Sequence, residues 1–155
     1  MADIGWKSPT VSLTSYLTTT LNSLADDTLD LGAEINNETN LAIYMDLELT
    51  LASLDLSSQT NPSVEAYLIE SVDGGTDFET VTDGSSTDAA HPPADKLLCT
   101  FGLRTGSASE AKLAIKSMLL IPPGRFKIAL INRTGVAFAS SSNALSYRTY
   151  KMLSA

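Results

Sequence analysis

Few residues in this chain have the chemistry for catalysis, and their neighbours decide what each can do. His91 is the sole histidine. It stands in the proline-flanked run His91-Pro92-Pro93, with no carboxylate or nucleophile placed beside it by the sequence, so it offers one base without a partner and reads as an exposed loop residue. Cys99 is the sole cysteine and has no internal disulfide partner. Its alternation with Leu97 and Phe101 puts it on an apolar strand face as a buried free thiol. Asp73, Asp77, Glu79, Asp83 and Asp88 carry the oxygen ligands that calcium takes, but they lack the ligand order and the bidentate glutamate of an EF-hand. Asp73-Gly74-Gly75 serves a tight turn instead. The chain has no nucleophile elbow, no HExxH pair, no second cysteine for zinc and no phosphate loop. The expectation is a protein that is not an enzyme and that holds neither cofactor nor metal.

Binding chemistry is equally sparse. The aromatics Trp6, Tyr16, Tyr44, Tyr67, Phe78, Phe101, Phe126, Phe138, Tyr147 and Tyr150 are scattered. Tyr147 and Tyr150 fall on opposite faces of one predicted strand, so no row for stacking sugars is apparent. Ten Lys and Arg against 18 Asp and Glu give a net charge of -8. A nucleic-acid partner is not expected, because neutralising phosphates requires a basic face. Nor is a membrane partner expected: no stretch reaches the ~18 apolar residues of a span. The N-terminus lacks the basic start and apolar middle of a secretion signal, so the chain is expected to be made in a cytoplasm. Asn37-Glu38-Thr39 and Asn132-Arg133-Thr134 match the glycosylation pattern but are read as turn residues.

What positions these residues is a β-rich body. Leu41, Ile43, Met45, Leu47, Leu49 and Leu51 alternate with more polar neighbours, the period of a half-buried strand, and all six are predicted to face the core. Leu54 and Leu56 fall out of phase. A bulge or bend near Ala52 and Ser53 is therefore expected to return them to the core. Further strands are predicted over 28–35, 64–71, 96–104, 112–121, 125–132, 136–139 and 144–152, separated by Asn61-Pro62, Asp73-Gly74-Gly75, Thr105-Gly106-Ser107, Pro122-Pro123-Gly124 and Thr134-Gly135. Pro122-Pro123-Gly124 is predicted to turn between two adjacent antiparallel strands. About eight short strands with no ordinary helix between them indicate an all-β antiparallel sandwich, jelly-roll-like.

With 155 residues the chain is long enough for one core. The predicted organisation is an N-terminal arm, 1–27, and one sandwich domain, 28–155, carrying a long polar loop at 72–95. In the arm, Leu13, Leu17, Leu21 and Leu24 recur at helical spacing while Thr18-Thr19-Thr20 disfavours helix, leaving a helical turn and an extended docking arm both open. Ile4, Trp6, Val11, Leu13, Tyr16 and Leu17 lie outside the predicted sandwich and need apolar partners. They are the candidate interface with another subunit.

Val64-Glu65-Ala66-Tyr67-Leu68-Ile69, then Ser71-Val72-Asp73-Gly74-Gly75-Thr76-Asp77-Phe78, Ile121-Pro122-Pro123-Gly124-Arg125-Phe126-Lys127 and Asn132-Arg133-Thr134-Gly135-Val136-Ala137 together resemble small structural proteins of tailed bacteriophages. So does the closing Ser142-Asn143-Ala144-Leu145-Ser146-Tyr147-Arg148-Thr149-Tyr150. These are turn and strand signatures and name no site. The resemblance implies a virion component on the capsid surface, a decoration (cement) protein that binds the major capsid protein and stabilises the head. It implies a homo-oligomer too, with a trimer as the first expectation by analogy with decoration proteins on local threefold axes. A phage tail or fibre-associated attachment protein and a glycan-binding β-sandwich module are the alternatives.

Overall fold

The computed structural model describes residues 12–79, 94–106 and 110–151, together with the backbone of 4–5 and 153–154. Its strands are β1 (Ile4–Gly5), β2 (Thr14–Leu17), β3 (Leu29–Leu31), β4 (Ile35–Asn36), β5 (Tyr44–Leu51), β6 (Ser63–Ser71), β7 (Leu97–Gly102), β8 (Lys112–Leu120), β9 (Arg125–Arg133), β10 (Ala144–Tyr150) and β11 (Leu153–Ser154). β1 and β11 pair only with each other; the rest form two antiparallel sheets, β2-β10-β5-β8 and β3-β9-β6-β7, with β4 also on β9. The pairing runs from the outside inward. β2 meets β10, β3 and β4 meet β9, β5 meets β8, and β6 meets β7. One long hairpin is thus rolled so that alternate pairs fall in opposite sheets, which is the jelly roll.

The alternation in β5 explains why the sheets stack. Met45, Leu47, Leu49 and Leu51 are all buried and face Val64, Ala66, Phe126, Ile128 and Leu130 of the other sheet, with Phe101 and Leu145 beside them. A bend at Ser53 brings Leu54 and Leu56 into the same core. The alternation does not extend to Leu41 and Ile43, which are 53% and 44% exposed instead of facing the core. Leu41 has φ +47°, and the next residue is bound sideways: the Ala42 N–H donates to Asn37 Oδ1 at 2.9 Å and Asn37 Nδ2 donates to the Ala42 carbonyl at 2.8 Å. Regular strand geometry begins only at Tyr44; Ile43 is bound on both sides, donating its N–H to the Tyr150 carbonyl at 3.2 Å and accepting the Ile121 N–H at 3.1 Å, but sits at the end of the sheet beside the diverted Ala42.

Both glycosylation-like asparagines are buried backbone ligands. Asn37 Nδ2 also reaches the Pro122 carbonyl at 2.7 Å, and Asn132 Nδ2 donates to the carbonyls of Leu24 and Val136. The latter holds 136–139 as irregular chain rather than the predicted strand, with Phe138 donating its N–H to the Leu24 carbonyl at 3.0 Å. The strand predicted over 28–35 is two short ones, broken at Gly32, where Tyr16 packs.

Two further expectations change. Residues 14–24 do not stand apart from the sandwich: β2 pairs with β10, a 3-10 turn spans Thr19–Leu21, and Leu17, Leu21 and Leu24 lie in the core. Pro122-Pro123-Gly124 joins β8 to β9, which belong to opposite sheets, so it is a corner between layers rather than a hairpin turn. Burial of the leucines drives the first change. In the second, the register of β9 is set by its ladder with β6 from Ser63 opposite Arg133 to Ser71 opposite Arg125.

Part of the outward face of β3-β9-β6-β7 is apolar and buried as well. Leu29, Tyr67, Ile69, Ala129 and Ile131 form a second cluster on it, against Leu31 and Phe78. The start of the long polar segment folds back here: Lys127 Nζ sits 4.1 Å above the Phe78 ring, the Glu79 N–H donates to the Glu70 carbonyl, and Glu79 pairs with Lys96 at 2.6 Å.

Candidate interaction surface

Strand β8 closes one edge of the four-stranded sheet, and its pairing with β5 decides which side chains reach water. Leu51 lies opposite Lys112, Leu49 opposite Ala114 and Leu47 opposite Lys116. Directly opposed residues share a face, so Lys112, Ala114 and Lys116 point with these leucines into the sandwich. Leu113 and Ile115, opposite Thr50 and Glu48, point outward. After an irregularity between Met45 and Leu47, Leu120 lies opposite Tyr44 and again faces out. Leu113, Ile115, Met118 and Leu120 are 64%, 56%, 56% and 67% exposed, while Lys112 is only 8% exposed. The strand is inverted: apolar side out, lysines in.

The irregularity has an identifiable cause. Met118 is the one strand residue with positive φ among those described, +59°, and β8 places one more residue than β5 between Met45–Leu119 and Leu47–Lys116, which is a β-bulge. A left-handed non-glycine residue costs about 1–3 kcal/mol unless its surroundings hold it. Asp46 does so. Its Oδ1 accepts the Met118 N–H at 3.1 Å and the Tyr150 hydroxyl at 3.0 Å, and its Oδ2 accepts Arg148 Nε at 2.9 Å and Nη2 at 2.8 Å. A carboxylate this buried is tolerable because both oxygens are satisfied by a cation and three further donors, counting the second guanidinium N–H.

Leu13 joins this outer face. With Asp46, Leu47, Glu48, Ile115 and Arg148 it lines a shallow cleft of about 120 Å³, and it remains 40% exposed. Large apolar side chains exposed together on one sheet face mark a candidate contact surface. Lys112 and Lys116, turned toward the seam, discourage strand addition to the free edge. Contact is thereby directed to the face. Along the same face Tyr44 and Tyr150 stack with centroids 5.7 Å apart, beside a second cleft of about 260 Å³ lined by Asn40, Ala42, Thr149, Tyr150 and Lys151.

The six residues singled out from the sequence separate. Leu13 belongs to the surface just described. Leu17 is buried in the chain's own core and so does not reach the surface; Tyr16 is half-buried, its hydroxyl donating to the Ala33 carbonyl at 2.6 Å and accepting the Ile128 N–H at 3.0 Å. Ile4 contributes backbone to β1, opposite Ser154. Trp6 and Val11 lie outside the described residues, as does His91. Cys99 is half-buried on β7 rather than fully buried, and burial pushes its thiol pKa up to about 11. Asp73 caps its own turn, accepting the N–H groups of Thr76 and Asp77 and the Ser71 hydroxyl, which hold its carboxyl below the usual range. Among the described residues no three His, Cys, Asp or Glu side chains gather to hold a metal ion, and no helix is long and apolar enough to cross a membrane.

No family model, curated protein or solved structure matches this chain. The reading of its role therefore rests on the surface itself. The strand predicted over 112–121 is β8, but its inversion was not legible, because Leu113, Ile115, Leu119 and Ile121 recur at odd positions as they would in a strand with those side chains in the core. Nothing in Lys116-Ser117-Met118 announces a bulge, since no glycine marks the left-handed position.

Proposed function

We propose that this chain is a non-enzymatic structural subunit of a virion, a capsid decoration protein that binds the major capsid protein of a tailed bacteriophage and acts as a homo-oligomer on the capsid surface. The outward apolar row of β8 carries the reading. A lone subunit gains nothing by exposing Leu113, Ile115, Met118 and Leu120 while enclosing Lys112; the arrangement is useful when another protein covers that face. The phage context comes from the sequence resemblance, and the jelly roll is a scaffold used by capsid proteins among many others.

The test is co-sedimentation of purified protein with expanded empty capsids, with light scattering to give its mass. Leu113→Glu combined with Ile115→Glu should abolish capsid binding while leaving the far-UV circular dichroism unchanged. Undiminished binding by this folded variant would overturn the reading. A glycan-binding module is the second reading, favoured by the Tyr44–Tyr150 stack beside the larger cleft. Binding to a glycan array that is lost in Tyr150→Ala, without capsid binding, would select it.

A further inference from the structure

The bulged register of β8 has a neighbour. If residues 112–116 moved one position along β5, the pairing that places Leu119 opposite Met45 would continue unbroken. Ser117 would then face Leu47, Ile115 would face Leu49 and Leu113 would face Leu51. Because side chains alternate with period two, this single step exchanges the faces of the moved residues. Leu113 and Ile115 would turn toward the core, and Lys112 and Lys116 toward solvent, the distribution that burial of apolar groups and hydration of charged ones both favour.

β8 is an edge strand held only by β5, so the step disturbs one ladder. The connection from β7, residues 103–111, is long enough to absorb the ~3.3 Å rise of one strand residue. The bulge itself carries a left-handed Met118 and is held by the Asp46 carboxylate, which Arg148 and Tyr150 orient.

We propose that β8 is a two-register strand: the Asp46-pinned bulge displays Leu113 and Ile115 for docking, and a one-residue slip withdraws them into the sandwich. Its use in assembly rests on the proposed decoration role; docking then selects the displayed register. The two-register property belongs to the chain alone.

Paired cysteines in a Cys99→Ser background read the register directly. Glu48→Cys with Ile115→Cys stand opposite in the bulged register, and Glu48→Cys with Lys116→Cys in the slipped one. Under mild oxidation both pairs should form intramolecular disulfides. Asp46→Ala should shift the ratio toward the slipped pair. Should that variant fail to fold, Met118→Gly, which accepts positive φ, should shift the ratio toward the bulged pair by roughly fivefold, and Met118→Val should shift it the other way. A slipped pair that fails to close in any folded background would overturn the proposal. Capsid co-sedimentation of the Glu48→Cys, Lys116→Cys protein, which keeps the whole apolar row, separates the claims. Binding when reduced and none when the slipped disulfide is closed supports both; a slipped disulfide that closes in a protein binding capsids in neither state leaves the strand property standing and removes the decoration role.

Discussion

The ring of Tyr16 lies directly on the backbone of Gly32, so closely that a methyl group at Gly32 would overlap it. The contact lets the tyrosine hydroxyl bridge the Ala33 carbonyl and the Ile128 N–H, tying β2 to the opposite sheet. It also explains why β3 and β4 are separate strands. Gly32→Ala should therefore destabilise the fold by roughly 1–3 kcal/mol through overpacking. Tyr16→Phe, which keeps the ring but leaves two backbone groups unpaired, should cost a similar amount, about 1–3 kcal/mol. Urea denaturation midpoints of both variants check this; two unchanged midpoints would show that the bridge contributes nothing.

How far the sequence could be read follows from which forces act locally. Met45 to Leu51 alternate because one face of β5 meets the core, and Leu54 and Leu56 return after a bend, so these were legible. Leu41 and Ile43 were not, because the side chain of Asn37 captures Ala42 from five residues away and delays the strand. The docking of residues 14–24 is hidden for a related reason: Leu17, Leu21 and Leu24 carry no local sign that β10, more than 120 residues after β2, supplies the partner strand. The inversion of β8 depends on one carboxylate on another strand and has no local signature at all.

Gly135 and Gly124 should separate cleanly. Gly135 has φ +81°, and a Cβ there would overlap the side chain of Gln59, so Gly135→Ala should lose about 1–2 kcal/mol. Gly124 is outside the left-handed region, and its added Cβ would meet nothing nearer than the Ser71 carbonyl oxygen at 3.6 Å. Gly124→Ala should fall within about 0.5 kcal/mol of the parent. Thermal midpoints that rank the two in the opposite order would contradict this account of the turns.

Cys99 should behave as a poor nucleophile. With its pKa pushed up to about 11 by burial, fewer than about one molecule in a thousand carries the thiolate at pH 7.5, and the thiolate is the reacting species. A disulfide exchange reagent should modify the native protein far more slowly than the urea-unfolded chain. Equal rates in the two states would show that the thiol is open to solvent.

Asp30 gives the fold a pH dependence of unusual sign for a carboxylate. It is 2% exposed, and its Oδ2 has no hydrogen-bond partner. Burial raises its pKa above the ordinary 3.8, against the opposing pull of the Thr20 hydroxyl and a backbone N–H. The native state therefore keeps this proton at pH values where the unfolded chain has released it. The resulting stabilisation is fully present below the unfolded pKa and is lost as pH rises through the raised native value. Asp55 and Asp73, whose carboxyls are held below their usual range by hydrogen bonds, act in the opposite direction, losing their contribution as pH falls. The contribution of Asp30 is thus the difference between wild type and Asp30→Asn, measured as denaturation free energy from pH 4 to pH 8. Wild-type stability should decline relative to the variant as pH rises across this range. Parallel curves would show that the buried carboxyl titrates as it does in the unfolded chain.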